Sequence, residues 1–130
     1  MAKSTNKSKS IIYTGHFSLP KDLLNDPEFF MLPAKAQKLI NDLGAQYNGR
    51  NNGDLCASFT LMKKRGWSSK SHLTRITKEL VESNWIELTK QGGRNMGPSL
   101  YAFTWQPIDS CGGKLDVKPT INASRKLNRK

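Results

Sequence analysis

Acidic residues are scarce in this chain. Its 130 residues hold 10 Asp and Glu against 21 Lys and Arg, a formal charge of +11. A deficit of that size argues against a cationic partner and favours a polyanion, meaning DNA, RNA or an anionic membrane surface. Cysteine is nearly absent too. Cys56 and Cys111 stand far apart and form no CxxC pair, which excludes a disulfide framework and a thiolate zinc site, and reads as two free thiols in a reducing cytoplasm. His16 and His72 are alone in their segments, so no metal-ligand spacing exists. No apolar run approaches the length of a membrane span, and the first ten residues carry no apolar core of a secretory signal.

These shortages also bear on catalysis. No paired carboxylates emerge; Asp22, Asp26 and Glu28 read as solvated surface. Cys56 near Asp54 and His72 reads as a small buried thiol rather than a nucleophile cluster. Gly92-Gly93 is no nucleotide loop, because no Gly-Lys-Ser/Thr follows it. The expectation is a non-enzymatic, cytoplasmic, nucleoid-associated protein with no cofactor, no metal and no membrane partner.

What is present is organised around a run of cations. Residues 63–78 read KKRGWSSKSHLTRITK, with Lys63, Lys64, Arg65, Lys70, Arg75 and Lys78 and no acid. Ser58 is placed to open a helix over 59–65, with Gly66 as its C-terminal cap. Trp67-Ser68 makes a turn, and Ser68 or Ser69 caps a helix running to about Ser83. On that helix Leu73, Ile76 and Leu80, with Thr77 and Val81, form an apolar stripe, while Lys70, Ser71, Thr74, Arg75 and Lys78 fall opposite. Upstream, Pro33 is suited to the first position of a helix over 34–47 with Ala36, Leu39, Ile40 and Leu43 at helical spacing. Residues 21–25 suit a short helical turn, 11–19 an edge strand or packed extended segment, and 55–56 a short strand.

Residues 85–89 alternate as a strand, 100–105 form the return strand, and the glycine-rich loop 91–98 joins them. A hairpin turn needs only two residues, so the extra length, with Lys90 and Arg94, predicts a projecting loop. Its glycine pair would permit close approach to a phosphate. Trp67, Trp85, Trp105, Phe59, Tyr101 and Phe103 read as core. The apolar share is 36%, so the ordered part should be smaller than the chain. It divides into a basic arm at 1–10, a domain at 11–107 and a basic tail at 108–130.

The predicted order is helix, short strand, helix, turn, helix, strand, loop, strand. It defines an α+β winged helix-turn-helix with a three-helix core, a β-hairpin wing and flexible basic tails. The helix from 70 to 78 spans about 12 Å, and the DNA major groove is about 12 Å wide. Arg75 suits guanine O6 and N7, Ser71 and Thr74 suit base edges, and Lys70 and Lys78 suit phosphate or guanine. Ser69 lies at the helix start, where free N–H groups favour a phosphate. Lys63, Lys64 and Arg65 flank this surface, Lys90, Gln91, Arg94 and Asn95 form its wing part, and the tails add counterion release.

Two stretches also resemble a known group. The segment from Gln46 to Leu55, QYNGRNNGDL, resembles the linker between the first helix and the helix-turn-helix of proteobacterial and phage winged-helix proteins. Gly92-Gly93-Arg94, the run 98–105, Pro107-Ile108-Asp109 and the run 111–116 are similar to the same group. The resemblance implies a winged helix of phage or mobile-element origin, acting in replication initiation or transcriptional control with that machinery as a possible partner. A homodimer would read a two-fold site. The competing expectation is an interaction protein that uses the same fold to bind a protein or nucleoprotein complex.

Overall fold

The computed structural model describes residues 15–127. The basic arm at 1–10 and the cations Arg129 and Lys130 lie outside the described residues. The described part is mixed α+β, with five α-helices and a three-stranded antiparallel sheet. The helices are α1 (Lys21–Leu24), α2 (Pro27–Phe30), α3 (Ala34–Gly44), α4 (Phe59–Met62) and α5 (Lys70–Glu82). The strands are β1 (Leu55–Cys56), β2 (Ile86–Lys90) and β3 (Leu100–Phe103), in spatial order β1-β3-β2. No helix among the described residues is long and apolar enough to cross a membrane.

The core forms where α3 and α5 pack their apolar stripes together. Leu39, Ile40 and Leu43 of α3 and Leu73, Ile76 and Leu80 of α5 are all buried, and Trp85, Ile86 and Phe103 seal them from the sheet side. Both helices thus follow the expected period, although α3 stops at Gly44, earlier than its pattern allows. The extended stretch 15–20 holds no strand, and Phe17 stacks on Phe103 at 5.2 Å between ring centres.

The short helices α1 and α2 correct one expectation. Asp26 is not an idle surface acid, whereas Glu28 keeps most of its side chain in solvent, as expected. Asp26 is buried and caps α2, its carboxylate accepting the Glu28 N–H at 2.9 Å, with Pro27 at the first helical position. That places Phe29 edge-on to Trp85 at 5.3 Å. Glu28 accepts a hydrogen bond from the Arg125 guanidinium at 2.6 Å.

A second correction concerns the chain after Pro107. It has almost no regular structure, as its sequence indicates, but residues 108–127 are tied to the domain. Asn52 and Asp109 exchange hydrogen bonds, the Asn52 N–H to the Asp109 carboxylate and the Asp109 N–H to the Asn52 carbonyl. The Asp116 N–H reaches the Thr89 carbonyl, and the Arg125 N–H reaches Thr104. Arg125 also lies 3.5 Å from the centre of the Trp85 ring. Strand β2 is one of the sheet's two outer members, so the contact from Asp116 occupies part of an edge that would otherwise stand open.

Buried Asn52 is the hub of this arrangement. Its side-chain amide donates to the carbonyls of Phe103, Gln106 and Pro107, and its side-chain oxygen accepts the Phe103 N–H at 2.7 Å. It therefore satisfies the backbone where β3 ends and the chain turns away, a demand that burial makes absolute.

Candidate nucleic-acid interface

The region that carries the cations is built from the end of α4 at Met62, a 3-10 turn and the start of α5 at Lys70. After α4 a 3-10 turn over Lys63–Arg65 tightens the chain, and Gly66 takes a left-handed conformation at φ 96°. The Gly66 N–H then reaches the Lys63 carbonyl and the Trp67 N–H the Met62 carbonyl. This double closure needs a residue without a Cβ at Gly66. Ser69, not Ser68, starts the next helix, its hydroxyl accepting the His72 N–H at 3.1 Å.

One buried carboxylate holds this turn against α3. Asp42 accepts the Trp67 indole N–H at 2.7 Å, the Arg65 Nε–H at 2.8 Å and the Lys38 ammonium at 3.1 Å. Burial pushes its carboxyl pKa up, but the bonds from Trp67, Arg65 and Lys38, with the charge of Lys38, outweigh it, and the pKa lies below the usual aspartate value. The Lys38 ammonium also donates to the Arg65 carbonyl at 2.7 Å. Trp67 is buried, with the ammonium groups of Lys35 and Lys38 over its ring at 5.1 and 5.9 Å. Sequence reasoning passed over Asp42. Its signal was an acid set among the apolar positions Leu39, Ile40 and Leu43, four residues after a lysine.

Beyond that anchor, α5 divides cleanly. Leu73, Ile76, Thr77 and Leu80 are buried, and the Thr77 hydroxyl donates to the Leu73 carbonyl. Lys70, Ser71, Thr74, Arg75 and Lys78 are all exposed. At 100° per residue these five fall within an arc of about 140°. None of their cations has an ion pair among the described residues. The acids of this helix, Glu79 and Glu82, come only in its last turns.

The remaining expected site residues separate into groups. Lys63 and Lys64 are exposed on the 3-10 turn before α5. Arg65 is partly committed to Asp42, with 48% of its side chain still exposed. The Ser69 hydroxyl is engaged in capping and lies 3.2 Å from the Ser71 hydroxyl. Lys90 is half-buried at the end of β2, and the Gln91 N–H is held by the Asp116 carboxylate at 2.9 Å.

Arg94 and Asn95 are exposed at the tip of the 91–99 loop, which closes on itself. The Gly93 N–H reaches the Gly97 carbonyl, the Met96 N–H reaches the Gly93 carbonyl, and Asn95 takes φ 65°. The glycine requirement here differs from the expected one. A Cβ at Gly92 would sit 2.3 Å from the Ser99 nitrogen and 2.5 Å from the Pro98 carbonyl carbon. Gly92 is thus required by the loop's own returning backbone, with no phosphate needed to explain it.

Between α5 and the hairpin runs a groove of about 800 Å³. Lys70, Leu73, Thr74, Lys78 and Val81 of α5 line it together with Leu88, Gln91, Ser99 and Tyr101 of the hairpin and with Phe59 and Thr60 of α4. No His, Cys, Asp and Glu grouping among the described residues is suited to hold a metal ion. Comparison with protein-family models, with curated proteins and with solved structures gave no significant match.

Proposed function

We propose that this chain is a double-stranded DNA-binding protein of winged helix-turn-helix build, a regulator or replication accessory in which α5 enters the major groove. The observation that carries it is the exposed side of α5. Lys70, Arg75 and Lys78 share it with Ser71 and Thr74, free of intramolecular ion pairs among the described residues. A helix held only for solubility mixes both signs along its polar face, and this one withholds its acids until the last turns.

The element order fits the same role. In this reading the segment 59–65, the turn and α5 serve as the helix pair, and the β2–β3 hairpin that follows α5 in the chain serves as the wing. Asp42 supports the reader indirectly, because it fixes Trp67 and Arg65 and so sets where α5 begins. Lys63, Lys64, Lys90 and Arg94 supply backbone contacts that add affinity without choosing sequence.

The test is a titration of selected duplexes by fluorescence anisotropy at several salt concentrations. Arg75→Ala should cost about 1–3 kcal/mol on the preferred duplex and relax one base position. Lys63→Ala should weaken every duplex alike and lower the salt slope by about one. If neither substitution changes affinity, α5 is not the reader.

A further inference from the structure

The groove between α5 and the hairpin has a mixed character that a phosphate strand alone does not explain. Leu88 and Tyr101 stand opposite one another on β2 and β3, and Leu88 keeps 38% of its surface exposed. Val81 of α5 completes an apolar floor with them. Leu88 and Val81 present no hydrogen-bond donor, so a phosphodiester laid over them would lose water and gain no bond there. An apolar body would instead shed unfavourable hydration on both surfaces.

The rest of the lining is different. Lys70, Lys78 and Thr74 belong to it, and no acid lines the groove. Its volume lies in the range that takes a small organic molecule, and an apolar floor with a few convergent polar groups is the usual build of such a site. The occupant that satisfies both halves has a flat apolar body and one anionic head.

We propose that this groove binds an amphipathic organic anion, an aromatic or fatty carboxylate or sulfonate, and that such a ligand and duplex DNA exclude each other. The binding claim stands on the groove alone. The exclusion rests on the DNA-binding role proposed above, because Lys70, Thr74 and Lys78 belong to both surfaces. A cell could then release the protein from DNA by raising the concentration of a metabolite of this class.

The probe is 1-anilinonaphthalene-8-sulfonate, followed by its fluorescence on the full chain without DNA, with its uncharged relative N-phenyl-1-naphthylamine for comparison. The expected result is saturable one-to-one binding of the sulfonate, with the uncharged compound about tenfold weaker. Lys78→Gln should weaken the sulfonate and spare the uncharged compound. Leu88→Ser should weaken both, with an unchanged melting temperature showing that the fold persists. Non-saturating binding, or saturable binding indifferent to both substitutions, overturns the site. In a second arm, the duplex preferred by the chain is added to the probe complex. Displacement of the probe supports the exclusion, and simultaneous binding overturns it. A chain that binds the sulfonate as described but binds no duplex refutes the DNA role and the exclusion while upholding the site.

Discussion

Replacing Asp42 by Ala should lower stability by about 2–4 kcal/mol, and the magnitude follows from what its partners lose. The Asp42 side chain is 6% exposed. Its strongest dependent is the Trp67 indole N–H, which lies in the core and has no route to water once the carboxylate is gone. An orphaned buried donor costs about 1–3 kcal/mol. Lys38 and Arg65 keep 34% and 48% of their side chains in solvent, so each can rehydrate, and each ion pair adds at most about 1 kcal/mol.

Urea unfolding followed by tryptophan fluorescence and by circular dichroism measures the loss. Asp42→Asn keeps an acceptor for the indole while removing the charge, so it should cost less, about 1–2 kcal/mol. Combining Asp42→Ala with Trp67→Phe removes donor and acceptor together, and the double variant should be more stable than the sum of the singles indicates. Strict additivity, or an Asp42→Ala loss below about 1 kcal/mol, would show that the carboxylate does not anchor the turn. The pH dependence has a definite sign. The folded pKa of Asp42 lies below its unfolded value of about 3.9. Its stabilisation is therefore present above the unfolded value and is lost as the pH falls through 4 toward the folded value. The stability difference between the natural chain and Asp42→Asn should narrow over that window.

Three further outcomes are expected. Asn52→Ala strands the Phe103 N–H and the carbonyls that Asn52 serves, so it should cost about 3 kcal/mol in urea unfolding, far more than its small size suggests. Gly92→Ala forces a Cβ into the backbone of 97–99 and should open the loop locally, seen as faster hydrogen exchange at Gly93 and Met96 while the amides of α5 stay protected. Arg125→Met removes the cation over Trp85 and should cost about 1–2 kcal/mol by thermal melting, whereas Glu28→Gln at the exposed end of the same arginine should cost under about 0.5 kcal/mol.

The helices that carry the candidate interface were legible because each signal there is local. Ser69 caps, Gly66 terminates, and Leu73, Ile76 and Leu80 repeat at the helical period, so α5 and its polar side can be drawn from the letters alone. The two strands of the hairpin were legible for the same reason, although β2 is displaced to Ile86–Lys90 and β3 stops at Phe103, short of its expected end at residue 105. What escaped the sequence depends on partners distant along the chain. Asp42 meets Trp67 25 residues later, Asn52 meets Phe103 51 residues later, and Glu28 meets Arg125 97 residues later. No period or cap announces such pairs. They also explain why the C-terminal segment looked like a free tail: its anchors are single contacts set in a stretch without apolar rhythm.

The scarcity of acids gains a meaning once their positions are known. Asp42 grips the turn before α5, Asp26 caps α2, and Asp109 closes on Asn52. Asp116 holds the Gln91 N–H, Asp54 pairs with Lys114, and Glu28 pairs with Arg125. Most of the few carboxylates thus have partners elsewhere in the chain, and each occupied one is withheld from the cations of Lys70, Arg75 and Lys78. Partial neutralisation of that surface would lower its potential, because opposite charges within a few ångströms cancel most of each other's field. The arrangement therefore commits negative charge to structure and leaves the cations on the exposed side of α5 without an ion pair among the described residues. If that separation matters for binding, moving an acid should matter as much as removing a base. A Ser71→Glu substitution on exposed α5 should leave the melting temperature nearly unchanged while lowering duplex affinity at least as far as Lys70→Ala does, with both losses shrinking as salt is raised. Equal affinity of Ser71→Glu and the natural chain at low salt would show that this side of the helix faces away from the nucleic acid.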